Sequence, residues 1–171
     1  SFFVFDFRVY SILNMTFCKI LFIFILAAWG VLPLARGAFP ASCETVVGEL
    51  NAALNPRIDE KELVSVLESL NRSGNKALPP KFVTKSRARN LGWKPGRPLW
   101  ENKQLEGKSL GGDFFGNREG RLPNGKRVWR EADLDYRGGR RGPKRLLYSN
   151  DGLRAVTVDH YQTFKEVPPC E

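Results

Sequence analysis

Apolar residues recur along this chain at two different periods, and the change from one to the other divides it. From Glu44 to Leu54 the apolar positions Val46, Val47, Leu50 and Leu54 share one helical face, and Asn55-Pro56 ends the pattern. Asp59 is placed to cap a second helix, with Glu60 and Glu62 at its positive end and Leu63, Leu67 and Leu70 in one stripe before Ser73-Gly74-Asn75 stops it. Thr84 caps a third, running to about Leu91 with Gly92 as its stop, and Leu99 to Leu105 predicts one further helical turn. From Ser109 onward the period becomes two. Ser109 to Phe115 begins a sheet, Trp129 to Tyr136 (WREADLDY) alternates as a half-buried strand, and Leu146 to Asp151 and Ala155 to Val158 return beside it. Helices first and strands afterwards predict an α+β domain.

The alternation in WREADLDY sets Trp129, Glu131, Asp133 and Asp135 on one face, so a row of carboxylates needs cations opposite. Arg140, Arg141, Lys144 and Arg145 follow at once, in a turn bearing Gly and Pro. The last strand-like run ends in Asp159, His160 and Tyr161, and His160 is the only histidine in the chain. A carboxylate that can take a proton, an imidazolium that can give one and fixed guanidinium forks together suit acid–base chemistry on a phosphate ester. The same pattern also suits a solvated strand face tied by weak cross-strand ion pairs, with a structural histidine at its end. Lys85 lies in the first turn of its helix, where a cation opposes the dipole, so helix propensity does not account for it.

Composition narrows the partner. The 171 residues are 42% apolar, enough for a single core, and a net charge of +9 with a pI near 9.7 points to a polyanion. Basicity alone does not separate RNA from DNA or an anionic membrane. Met15, Lys19 and the apolar run from Ile20 to Trp29, continuing loosely to Ala35, have the layout of a secretory signal peptide cleaved between Gly37 and Ala41. A membrane anchor is the rival reading, but Gly30 and Pro33 break the run short of the roughly 20 apolar residues that a span needs. Residues 1–14 precede the only methionine and read as upstream frame. The expected organisation is thus 1–14 upstream, 15–41 signal, 42–58 N-terminal extension and 59–171 folded domain, secreted to the periplasm or exterior with no stable membrane association after cleavage. Export would remove Cys18 and leave Cys43 and Cys170 at opposite ends of the chain in an oxidising compartment, where a bridge between them is the natural inference. Two unpaired thiols remain an alternative, as does lipid attachment at Cys43, although Pro40-Ala41-Ser42 lacks the leucine usual before such a site.

Five strings lie in order between Leu78 and Phe164: TKSRARNLGW (Thr84 to Trp93), GKSLGGDFFGNREGRLP (Gly107 to Pro123), WREADLDY, RLLYSND and DHYQTF (Asp159 to Phe164). Together they cover about half the chain, and in this order and spacing they resemble the barnase-like family of small secreted bacterial guanyl-preferring ribonucleases. The resemblance implies N-terminal helices on one face of a five-stranded antiparallel sheet, with the active site on the other face. It implies Glu131 as general base, His160 as general acid, and Lys85, Arg141 and Arg145 as cations on the scissile phosphate, with no metal and no cofactor. Asp133 would hold the arginines. Gly116, Asn117, Arg118 and Glu119 would form the guanine loop, in which one carboxylate accepts the base's imino and amino hydrogens while backbone amides donate to its carbonyl. Tyr161 would pack against base or ribose. The implied partners are RNA and a small acidic barstar-like inhibitor, and the implied state is a monomer.

The chain departs from the family pattern at Gly116, Arg140, Gly142, Lys144 and Gly152, none of them a proposed catalytic group. Two rivals stay in view. A basic RNA-binding module without catalysis would be expected to lack Glu131 or His160, and both are present. A toxin domain delivered to competitors would share the catalytic residues and differ only in the fate of Met15 to Ala35.

Overall fold

The computed structural model describes residues 40–171, so the expected upstream segment and nearly all of the expected signal peptide lie outside the described residues. Three helices form where sequence caps them. Helix α1 spans Cys43–Ala52, with the Ser42 hydroxyl accepting from the Thr45 amide. Helix α2 spans Glu60–Ser73; the Asp59 carboxylate accepts from the Glu62 amide at 2.9 Å, and Gly74 at φ 60° terminates it in the left-handed region. Helix α3, Lys85–Asn90, is capped by Thr84. The turn expected over Leu99 to Leu105 is two short 3₁₀ segments, Leu99–Glu101 and Lys103–Leu105.

The sheet has six strands in sequence order: β1 Phe82–Val83, β2 Ser109–Phe115, β3 Trp129–Asp133, β4 Arg145–Ser149, β5 Arg154–Thr157 and β6 Lys165–Glu166. The expected five antiparallel strands are present as β2 to β6, and β1 adds a sixth, which makes the sheet mixed. Strand β1 pairs parallel with β2, while β2 to β6 pair antiparallel in succession. Parallel pairing follows from the connection, since α3 and both 3₁₀ turns intervene between β1 and β2. With two residues each, β1 and β6 are too short to show a period in sequence.

Alternation along the strands separates two faces. Leu146, Tyr148 and Val156 join Val47, Leu63, Leu67 and Leu70 in the main core beneath α1 and α2. Trp129, Leu147, Ala155 and Leu122 form a smaller cluster on the other face, and a third gathers Trp93, Leu99, Leu105 and Tyr136 around α3. Residues 42–58, expected as an extension, belong to the main core: Val46, Val47 and Leu50 pack with α2, and a disulfide joins Cys43 to Cys170. Asp135 does not continue the carboxylate row of β3. The strand ends at Asp133, Asp135 turns to φ 58°, and its carboxylate accepts from the Asp59 amide at 2.9 Å and pairs with Lys144 at 2.5 Å. Two acids, rather than three, share the open face of β3.

Candidate active site

A β-bulge decides which side chains meet on the open face. The register between β2 and β3 shifts between Gly111, opposite Ala132, and Asp113, opposite Glu131. Gly112 is the extra residue, at φ 91°, and a Cβ on Gly111 would approach the Phe82 ring to 2.7 Å. Without the inserted residue Gly111 and Asp113 would face the same side; the bulge turns Asp113 to the open face, where its Oδ2 accepts from the Lys85 amide at 2.8 Å. That bond fixes the start of α3 beside β3.

Glu131 is the buried carboxylate at the centre, 7% exposed. Lys85 Nζ donates to its Oε1 at 2.6 Å and the Tyr161 hydroxyl donates to its Oε2 at 2.5 Å. Burial alone would favour the neutral acid and is the largest single influence. The hydrogen bonds from Lys85 and Tyr161, with the charges of Lys85 and Arg145, together outweigh it and hold the carboxyl below its ordinary value. Tyr161 moves the other way: burial first, then its bond to Glu131, pushes the phenol up to about 12. The pair therefore stands as a carboxylate accepting from a neutral phenol.

Asp133, 2% exposed, organises the arginines. Arg141 grips it with two parallel bonds, Nε to Oδ2 at 2.6 Å and Nη2 to Oδ1 at 2.7 Å, and these bonds raise the Arg141 pKa. Arg145 Nε meets Asp133 Oδ1 at 2.9 Å and the Tyr161 hydroxyl at 3.2 Å, while its Nη1 donates to the Gly142 and Lys144 carbonyls, each at 2.7 Å. A guanidinium held at this many points loses little rotamer freedom when a phosphate arrives.

His160 sits on a turn that strands alone would not produce. His160 and Tyr161 are consecutive non-glycine residues at φ 60° and 70°, a conformation that costs about 1–3 kcal/mol for each. Asp159 holds the turn: its carboxylate accepts from the Thr157 hydroxyl at 2.8 Å, the Thr163 hydroxyl at 2.6 Å and the Gln162 and Thr163 amides at 3.0 Å. Some desolvation opposes ionisation there, but those bonds prevail and bring its pKa down to about 2. The exposed imidazole of His160 stands 5.0 Å, centroid to centroid, from the Tyr161 ring, whose hydroxyl reaches Glu131.

Beside this cluster a cavity of about 380 Å³ is lined by Phe114, Gly116, Arg118, Glu119, Tyr161 and Phe164, among others. Asn117, at φ 40°, shapes its rim, exchanging hydrogen bonds with both backbone groups of Leu122. Tyr161 belongs to the cavity and to the acid cluster alike, stacking on Phe115 at 5.4 Å. Of the residues singled out in sequence, Glu131, Lys85, Tyr161, Arg145, Asp133 and Arg141 form one hydrogen-bonded chain. Gly116, Asn117, Arg118 and Glu119 gather at the cavity, and His160 stands on the adjoining turn.

Arg121 was not foreseen. Its Nε pairs with Glu119 Oε2 at 2.7 Å and its Nη1 donates to the Gln162 carbonyl at 2.5 Å, tying the loop to the turn that carries His160. An arginine two residues after a loop carboxylate was the available signal. The role of Asp159 at the end of the last strand was likewise not foreseen, although Asp two residues after Thr157 is a common turn-forming arrangement.

A family model described as ribonuclease matches residues 68–168. The chain belongs to the ribonuclease family. A ribonuclease of Heyndrickxia coagulans is 48% identical over 93 residues, covering 54% of this chain and 84% of that protein. Ribonucleases of Bacillus intermedius and Bacillus pumilus are each 48% identical over 93 residues, and there the matched stretch spans only 57% of their length. The matched residues take in the bulge, the acid cluster, the cavity loop and the His160 turn.

Proposed function

We propose that this ribonuclease is a secreted endonuclease that cuts single-stranded RNA 3′ of guanosine by acid–base transesterification, without a metal ion. Glu131 takes the proton from the ribose 2′-hydroxyl, and that oxygen attacks the adjacent phosphorus. His160 gives a proton to the departing 5′-oxygen, leaving a 2′,3′-cyclic phosphate that the same pair hydrolyses with roles exchanged. Lys85, Arg141 and Arg145 stabilise the charge on the phosphoryl oxygens, and dependence on a 2′-hydroxyl nucleophile makes RNA rather than DNA the substrate. The observation that carries this reading is the carboxylate of Glu131: buried, ionised, and bonded to the same tyrosine that walls the cavity.

The cavity supports the guanine preference. Glu119 carries a half-free carboxylate at its mouth, 72% exposed and held from one side by Arg121, and it can accept two hydrogens from the base edge. The Cys43–Cys170 bridge supports export, since such bonds persist in oxidising compartments. The cations around the site also suit a small acidic inhibitor, barstar-like in offering carboxylates where phosphates would sit, to a monomeric enzyme. The deciding experiment incubates the protein in EDTA with a short RNA of mixed sequence and maps the cut sites. Cleavage 3′ of guanosine is expected, and either metal dependence or cuts without base bias would overturn the corresponding part of the reading.

A further inference from the structure

A cavity larger than the one beside the acid cluster lies elsewhere in the fold. It encloses about 710 Å³ on the helix-covered face of the sheet, between the end of α2, the start of α3 and strands β1 to β4. Its wall is apolar at Leu78, Phe82, Val83 and Val128, and its cations are Lys76, Arg87 and Arg130. No lining residue is acidic, and none of the three cations has a carboxylate partner among the described residues. The nearby carboxylate of Asp113 is engaged by the Lys85 amide.

The hydrogen-bonding capacity left over in this cavity is one-sided. Asn75 Oδ1 accepts from Arg154, Asn150 Oδ1 accepts from the Val128 amide, and Thr84 Oγ1 accepts from the Arg87 amide, so these acceptors are engaged. The two asparagine amide nitrogens are left as donors. Tyr148 is the decisive group. Only 2% exposed, it lines the cavity with a hydroxyl about 4.0 Å from where a Gly112 side chain would begin, and that hydroxyl makes no hydrogen bond to any described residue. The hydroxyl opens onto the cavity, so it is a donor that a ligand there can use. Burial pushes its pKa up, which keeps it a donor.

We propose that this cavity is a second, non-catalytic binding site for a phosphate-bearing nucleotide unit. Donors and unpaired cations at the mouth suit phosphate oxygens, and the apolar wall behind them suits a base and ribose. The volume exceeds that of the proposed guanine cavity and lies within the range of small-ligand sites. The bulge at Gly112 links the two faces: the carbonyl of the same residue that turns Asp113 toward Lys85 accepts from Arg130 at 2.7 Å inside this cavity.

The test is site-resolved NMR titration of the whole protein with two uncleavable probes, uridine 5′-monophosphate and a single-stranded thymidine oligodeoxynucleotide. Saturable shifts of Tyr148, Gly112 and Lys76 are expected. A response to the mononucleotide alone would assign the site to free nucleotide, and a tighter response to the oligonucleotide would assign it to a nucleic-acid strand. Lys76→Ala and Arg87→Ala, both at exposed positions, should each weaken this binding about tenfold, the usual cost of one charge-assisted hydrogen bond, while leaving cleavage of a guanosine-containing dinucleotide unchanged. Shifts confined to the Glu131 and Glu119 region, or affinities that ignore both substitutions, would overturn the proposal without touching the assignment of the catalytic site.

Discussion

Tyr161→Phe isolates what holds the proposed base in its ionised form. The substitution deletes only the hydroxyl that donates to Glu131 Oε2 at 2.5 Å, and the ring can keep its stack on Phe115 and its place against the Arg145 guanidinium, 5.8 Å away. A hydrogen bond to a charged group contributes about 1.5–3 kcal/mol. Tyr161 is only part-buried, so solvent screening argues for the low end. One pKa unit corresponds to about 1.36 kcal/mol, so the Glu131 carboxyl should rise by about one unit, the Lys85 bond at 2.6 Å keeping it ionised near neutrality. The sign is fixed because the lost donor favoured the charged form. The assay is kcat/KM against pH on a guanosine-containing dinucleotide, in which the acid limb reports the free enzyme's base. That limb should move up by about one pH unit while the plateau stays within about tenfold of the parent protein. An acid limb that does not move would show either that Glu131 is not the titrating base or that Tyr161 does not hold it.

Removing either member of the acid–base pair, Glu131→Ala or His160→Ala, should lower turnover by about two orders of magnitude or more, with circular dichroism unchanged; a near-normal rate for His160→Ala would refute its role as acid. Glu119→Ala should reduce the preference for guanosine over adenosine, about tenfold or more in the parent protein, by more than it reduces residual cleavage elsewhere, as read from digestion maps. Reduction of the Cys43–Cys170 bridge, which spans 127 residues of sequence, should lower the melting temperature, the chain-entropy model giving an upper figure of about 4–5 kcal/mol. The Asp159 carboxyl, ordinarily near 3.8 and lowered to about 2 by the turn, contributes stability that is present above its ordinary value and is lost as pH falls through that interval. Thermal unfolding of Asp159→Asn should therefore vary less with pH over that window than unfolding of the parent.

The helices were legible because α1 and α2 carried apolar stripes and α2 and α3 capping side chains, and they formed within one or two residues of the expected limits. The open face of β3 was legible at Glu131 and Asp133 because period two is a backbone property. Asp135 was not, since nothing in WREADLDY marks where the strand stops; competition from the Asp59 amide and Lys144 pulls that carboxylate away. The bulge was equally hidden. Gly111-Gly112 announces conformational freedom, but which of the two is inserted depends on the crowding of Gly111 by Phe82 and Leu78 from distant parts of the chain. For the same reason the role of Arg121 needed a fold: its two partners, Glu119 and Gln162, lie on separate loops.

The clasp at the ends of the domain changes how the molecule responds to being pulled. Cys43 and Cys170 are covalently joined, and around them the Cys43 amide donates to the Glu171 carbonyl at 3.2 Å and the Glu171 amide to the Ala41 carbonyl at 3.0 Å. Tension applied through residues 41 and 171 runs across that one bond and bypasses the sheet, the helices and the cleft. A machine that unfolds proteins by threading one strand would meet a closed ring from either end, and would have to draw two strands abreast. Once the sulfurs are reduced, the same tension reaches the sheet, and the chain between these positions, 127 apart in sequence, can extend to on the order of 400 Å. The bond thus acts as a mechanical latch whose state decides whether the domain can be pulled apart from its ends.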